Sequence, residues 1–168
     1  SNELMQRGID HVVLERGQIA NSWRTERWDS LRLLSPNWMN GLAGHDYSGT
    51  DHDGFMDVSE LIRNFDACAE KNSAPVQTET SVVSVSGTCG DYTVQTDQGA
   101  IGCHSIVMAN GACAIPNIPA FSSDLPKHIS VFTPKTYKRP SQLPDGKVLV
   151  VGASASGLQL ARELQMSG

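Results

Sequence analysis

The chain has 168 residues, enough for one domain, or for one domain and the opening of another. Its 13 Lys and Arg against 18 Asp and Glu leave a net charge of −5, which gives no electrostatic case for binding nucleic acid or an anionic membrane surface. No apolar run approaches the roughly 20 residues of a spanning helix, and Cys68, Cys89, Cys103 and Cys113 form no close pair, which argues against a zinc site or a redox dithiol.

Scattered thiols of this kind fit a cytoplasmic protein. Residues 1–7 read as the last turns of a helix, with Leu4 and Met5 on its apolar side and Gly8 as its stop. Residues 9–17 then read as a short parallel strand that ends in an acid, Glu15, followed by Arg16 and Gly17. Helix, glycine, apolar strand and terminal Glu compose the second half of a βαβ dinucleotide unit, and Glu15 stands where such units place the carboxylate that binds the ribose hydroxyls. Residues 18–29 carry Trp23, Arg24, Arg27 and Trp28 on a short helix beside that end. Residues 31–34 alternate as an extended segment, and Ser35-Pro36-Asn37 breaks it.

From 38 to 56 the chain is a long loop rich in Gly, Asp and His. Turn-forming Asp and Gly account for that composition, and the spacing of His45, Asp46, Asp51, His52 and Asp53 matches no metal-ligand pattern. Residues 57–71 give the clearest helix. Asp57 is an N-cap with Glu60 three residues on, and Val58, Leu61, Ile62, Phe65 and Ala69 share one face. Residues 81–86, 92–96 and 100–104 form an antiparallel meander, and 105–111 read as a buried strand that ends at Ala109-Asn110-Gly111. Residues 112–144 are proline-punctuated and run as a connection, with 129–132 pairing briefly on a sheet edge.

The far end carries the strongest motif. Residues 148–151 read as a buried parallel strand, Gly152-Ala153-Ser154-Ala155-Ser156-Gly157 as a tight turn, and Leu158, Ala161 and Leu164 as the apolar face of a helix. Gly152 permits the sharp turn, and Gly157 lets the helix pack close. The helix N-terminus then offers free N–H groups to a pyrophosphate. Ser154 occupies the place of the usual middle glycine. The strand that would complete this unit, and the first strand and glycine turn of the earlier one, lie outside residues 1–168, so the chain is expected to be a piece cut inside both units, inactive by itself. The fold class expected is α/β: a Rossmann-like FAD/NAD(P)-binding fold with an inserted antiparallel meander at about 80–104 and its first βα element missing.

The combination of residues 15–23, the Arg27-Trp28-Asp29-Ser30-Leu31-Arg32-Leu33 run, Gly54-Phe55-Met56, Ala109-Asn110-Gly111, and residues 137–140 leading into the second glycine turn resembles flavin-containing monooxygenase-like oxidoreductases. The resemblance spans almost the whole chain. It implies an FAD unit over 1–111, a connection over 112–146 and the start of an NAD(P) unit over 147–168. It implies that Glu15 and Arg16 bind the adenosine end, that Trp23, Arg27, Trp28 and Leu31 lie toward the ribityl chain and flavin ring, and that Val82 or Val83 backs the adenine. Ala109, Asn110 and Gly111 correspond to the turn where the chain leaves the FAD unit, with Asn110 in place of the usual Thr. Gly152, Ser154, Ser156 and Gly157 correspond to the turn that holds NADPH or NADH.

The implied activity is NAD(P)H reduction of FAD followed by oxygenation of a small organic substrate by O2. The family signature places a His where this chain has Thr133. A reductase or dehydrogenase that never commits oxygen to substrate, and an inert partial gene product, remain as alternatives. Disulfide reduction is disfavoured by the absence of a close cysteine pair. Substrate, choice of nicotinamide cofactor and oligomeric state are left open.

Overall fold

The computed structural model describes residues 1–111 and 114–168. In chain order these form α1 (Asn2–Gln6), β1 (Val13–Leu14), α2 (Asn21–Thr25), α3 (Val58–Lys71), β2 (Val76–Gln77), β3 (Val82–Thr88), β4 (Asp91–Thr96), β5 (Gly99–Cys103) and α4 (Ala155–Ser167). Short 3-10 turns lie at Asn37–Met39, Ala120–Asp124 and Pro140–Gln142. Ala112 and Cys113, which were read as the start of the connection, lie outside the described residues.

Helix α3 forms where its caps dictate. Asp57 accepts the Glu60 N–H at 2.8 Å, and Glu60 returns a carboxylate oxygen to the Asp57 N–H at 2.9 Å. Two otherwise orphan donors are thereby satisfied. Leu61 is buried on its inner face. Both carboxylate oxygens of Asp66 on α3 accept from Nη2 of Arg24 on α2, at 2.7 and 2.6 Å, which sets the two helices side by side.

Two small sheets follow. β1 and β2 pair in parallel, Val13 with Val76 and Leu14 with Gln77. The Glu15 N–H extends this ladder to the Gln77 carbonyl at 3.0 Å. β3, β4 and β5 make the expected antiparallel meander. Val94 and Thr96 of β4 are buried, whereas β3 is exposed along its whole length. A register shift between Val82 and Ser84 leaves Val83 as a bulge.

The core lies between the two ends of the chain. Trp28, Leu31 and Tyr137 are buried together, and Trp23, Leu33, Phe132, Leu143, Leu160 and Leu164 pack around them. Of the apolar face expected for α4, Leu164 packs on this core, with Leu160 beside it, whereas Leu158 is 63% exposed; the helix is rotated so that 160 and 164, one turn apart, face the aromatic cluster.

Four expected strands are shorter or absent. The strand at 9–17 is reduced to Val13–Leu14, with further backbone bonds at Glu15 and Gly17. Residues 105–111, 129–132 and 148–151 form no strand at all. Val107 is 81% exposed and Leu149 85% exposed, so neither run is buried. The reason is lateral. A strand is made by partners that satisfy its N–H and C=O groups, and among the described residues no backbone pairs with either run. Apolar composition alone does not supply such neighbours.

Candidate functional site

The glycine turn at the entry to α4 has the geometry of a close-packed strand-to-helix bend. Gly152 has φ +105°, a conformation that side-chain-bearing residues rarely adopt. A β-carbon added at Gly157 would overlap the carbonyl oxygen of Gly152. The turn is therefore folded back on itself at the two positions that only glycine tolerates. Ser154 is the N-cap of α4, and its side chain makes no capping bond. The first N–H groups of the helix thus keep no intrahelical acceptor, and they carry the positive end of the helix dipole. Ser156 is half-buried in the first turn. This cradle fits a pyrophosphate: free donors, positive potential, and backbone that can be approached closely.

The other end of the candidate site is the mouth of β1. Glu15 accepts the Gly17 N–H on Oε1 at 3.2 Å, and its own carbonyl takes the Thr80 N–H at 2.9 Å. Its second carboxylate oxygen has no partner among the described residues, which leaves one acceptor for a hydroxyl ligand. Arg16 turns away from this carboxylate and pairs with Glu26. Lys135, from the connecting segment, meets the same Glu26 oxygen at 3.2 Å. Glu26 was not singled out in the sequence, and nothing local marks it.

Burial pushes the Glu26 carboxyl up, but the hydrogen bond from Lys135 and the charges of Arg16 and Lys135 outweigh it. The net result lies below the ordinary value of 4.5. A depressed carboxyl contributes stability above its unfolded value and loses it as pH falls through the folded one. Glu26→Gln is expected to cost about 1–2 kcal/mol at neutral pH, because two cations lose their partner but remain able to meet water. The difference should shrink as pH falls from 4.5 through the lower folded-state value, below which wild-type Glu26 is also neutral. Urea midpoints of the two proteins at both pH values measure this, and equal differences at both would refute it.

Segment 23–32 connects these two ends. The Arg27 guanidinium lies 4.9 Å from the centroid of the Trp23 ring. Trp23 also lines an open apolar cleft of about 310 Å³ with Leu33, Met39, Leu42, Leu61 and Phe65. Trp28 is 3% exposed and Leu31 8%, so both side chains are core here. The Trp28 Nε1–H is buried with no hydrogen-bond partner.

Val83 is exposed on the bulge of β3, and Ala109, Asn110 and Gly111 are exposed on the chain that follows β5. Among the described residues no group of three or more His, Cys, Asp or Glu could hold a metal. Nor is any described helix long and apolar enough to cross a membrane.

A strap over 135–139 closes the arrangement. Lys138 Nζ donates to the carbonyl of Thr25, the last residue of α2, at 2.6 Å, and to that of Arg27, two residues beyond it, at 2.8 Å. Arg139 meets Asp29 at 3.0 Å. The Tyr137 hydroxyl donates to Glu163 of α4 at 2.9 Å. Burial, then this acceptor and its charge, push the Tyr137 phenol far up, so it remains a donor throughout the working range. Tyr137 stood in the sequence as a landmark before the second glycine turn. Its role as the peg between the strap and α4 depends on contacts that sequence spacing cannot show.

The sequence profile of pyridine nucleotide-disulphide oxidoreductases matches residues 1–168. The chain belongs to the pyridine nucleotide-disulphide oxidoreductase family. An uncharacterized CzcO-like oxidoreductase of Geobacillus kaustophilus is 34% identical over 153 residues, which cover 91% of this chain and 43% of the relative. Two solved structures share the fold. The bacillithiol disulfide reductase Bdr (YpdA) of Staphylococcus aureus matches with a TM-score of 0.82 at 18% identity, over 99% of this chain and 50% of that one. A flavin-containing monooxygenase of Stenotrophomonas maltophilia matches with a TM-score of 0.76 at 19% identity, over 98% and 50%.

The chain therefore spans about half the length of the family members it matches. The α/β architecture with its inserted meander is the one these structures share. At such identities the two solved structures bear on fold alone, so a disulfide reductase and a monooxygenase stand equally behind it.

Proposed function

We propose that this chain carries parts of two dinucleotide sites of an FAD-dependent, NAD(P)H-using monooxygenase. In this reading residues 1–111 belong to the FAD unit, 112–146 to a connection, and 147–168 to the NAD(P) unit. The observation that carries it is the Gly152–Gly157 turn, closed by a glycine without room for a β-carbon and followed by an uncapped helix N-terminus. When bound, the cofactors supply hydride transfer from nicotinamide to flavin and the activation of O2.

The chain's own part is binding and placement. Glu15 offers a free carboxylate oxygen to a ribose hydroxyl at the end of β1. Arg16, held by Glu26, flanks it. The backbone of Arg27, Trp28 and Leu31 borders the flavin side, with Trp23 stacked beneath the Arg27 guanidinium. Val83 and Ala109, Asn110 and Gly111 face the adenine and the exit of the FAD unit. Ser154 and Ser156 add hydroxyls to the N–H cradle of α4. The substrate is a small organic molecule, and a cytoplasmic location suits its thiols, of which Cys68, Cys89 and Cys103 are free.

A flavin reductase that does not oxygenate is the second reading, favoured by Thr133 at the place where the monooxygenase signature carries a His. Against its dithiol form, no two of the chain's four cysteines stand close in the sequence. The test is the whole protein, purified and assayed for a co-purifying flavin spectrum, for NADPH and NADH oxidation, and for incorporation of labelled oxygen from O2 into product. Bound FAD, nicotinamide oxidation and label in product are expected. Oxidation without label would replace the first reading by the second. No flavin binding would overturn both.

A further inference from the structure

Helix α4 touches both halves of the candidate site. Its first turn is the dinucleotide cradle. Two residues beyond Gly157, Gln159 reaches the other half of the chain. Its Oε1 accepts the Arg32 N–H at 3.2 Å, and its Nε2 donates to the Arg32 carbonyl at 3.0 Å. Both partners are main-chain groups, so the contact fixes where the backbone runs, whatever the side chain at 32.

The opposite edge of this segment is already paired. The Leu33 N–H bonds the Met56 carbonyl at 2.9 Å, and Arg32 bridges Asp57 in antiparallel fashion. The Gln159 amide thus stands where a neighbouring strand would stand. A planar amide that takes both groups of one residue makes or breaks the two bonds together. Leu31, the preceding residue, is buried against Trp28 and Tyr137. The Tyr137–Glu163 bond also anchors α4, but it ties the helix to the strap, not to segment 27–32.

We propose that Gln159 is a positioning residue that couples occupancy of the Gly152–Gly157 turn to the flavin-side segment 27–32, and through it to FAD affinity. This rests on the two-site reading above. A dinucleotide held by the first N–H groups of α4 fixes the turn in which Gln159 sits, roughly 3 Å along the axis from Gly157. A helix shift of even 1–2 Å, of the size seen in switching proteins, would break both bonds to Arg32. Linkage then works in both directions: the nicotinamide cofactor tightens FAD, and FAD tightens the cofactor by the same factor.

The experiment measures FAD dissociation constants for the whole protein with and without saturating NADP⁺, together with amide exchange at Arg32. Neither readout requires turnover. For wild type, FAD is expected to bind at least about fivefold tighter with NADP⁺ present, and the Arg32 amide to exchange more slowly. In Gln159→Leu the fivefold factor and the added protection should both vanish while FAD binding itself persists. Gln159→Asn, whose shorter amide cannot span to Arg32, should behave alike. Gln165→Leu, on the exposed side of the same helix, should keep the wild-type factor. A wild-type factor of 1, or an unchanged factor in both Gln159 variants, overturns the coupling and leaves the two-site reading standing. Failure of the whole protein to bind FAD overturns both.

Discussion

Gly157→Ala is expected to weaken binding of the nicotinamide dinucleotide by at least about tenfold, which corresponds to about 1.4 kcal/mol. The alanine β-carbon would fall on the carbonyl oxygen of Gly152. That neighbour is backbone, so no side chain can swing aside. The helix cannot retreat freely either, because Leu160 and Leu164 pack on the aromatic core and Gln159 is bonded to Arg32. Relief must come from opening the turn, which displaces the N–H groups that hold a pyrophosphate. Overpacking of this kind costs about 1–3 kcal/mol. Titration calorimetry of NADP⁺ into the whole protein measures the loss. Gly102→Ala on β5, where a β-carbon meets open space, is the control and should bind as wild type. Equal affinity for Gly157→Ala and wild type would show that the turn is not the cofactor's seat.

Trp28→Ala is expected to give the largest loss of stability in the chain, roughly 3–5 kcal/mol. Trp28 is 3% exposed and sits at the centre of the cluster that joins the strap, α4 and segment 23–33. Removing it leaves a void bounded by elements that are each pinned elsewhere, so collapse onto the gap is limited. The melting temperature should fall on the order of 10 °C. Trp28→Phe provides the contrast. The indole Nε1–H is buried without an acceptor, and a buried unpaired donor carries a desolvation cost. Phenylalanine removes that donor while keeping most of the volume, so its cost should stay under about 1.5 kcal/mol. Thermal melts of the three proteins decide the matter. If Phe proves as damaging as Ala, the indole N–H has an energetic role that its unpaired state contradicts.

The parts of the fold that were legible in the sequence are those set by short-range rules. Asp57 and Glu60 announced the start of α3, and the glycines at 152 and 157 announced the bend into α4. The meander was readable because alternation and turn residues recur within each hairpin. What escaped was set by long-range pairing. β2 is two residues long and exists only because Val13 and Leu14 lie beside it. Residues 148–151 have strand composition but no strand, since a ladder needs a second edge. Arg16 was read as a cofactor residue from its place after Glu15. Its engagement with Glu26 and Lys135 brings together three side chains whose spacing carries no motif. Gln159 finds Arg32 across 127 positions, a separation at which periodicity conveys nothing.

That separation also governs when the molecule can assemble. At ribosomal rates of roughly 5–20 residues per second, some 6–25 seconds pass between synthesis of Arg32 and of Gln159. Trp28 and Leu31 must wait the same interval for the helix that covers them. For most of it the nascent chain carries Trp28 and Leu31 with Val58, at the start of α3, as the one residue beyond Leu33 already made that packs against them. Slowing translation downstream of residue 33 lengthens that exposure and should lower the yield before any folded molecule exists to be unstable.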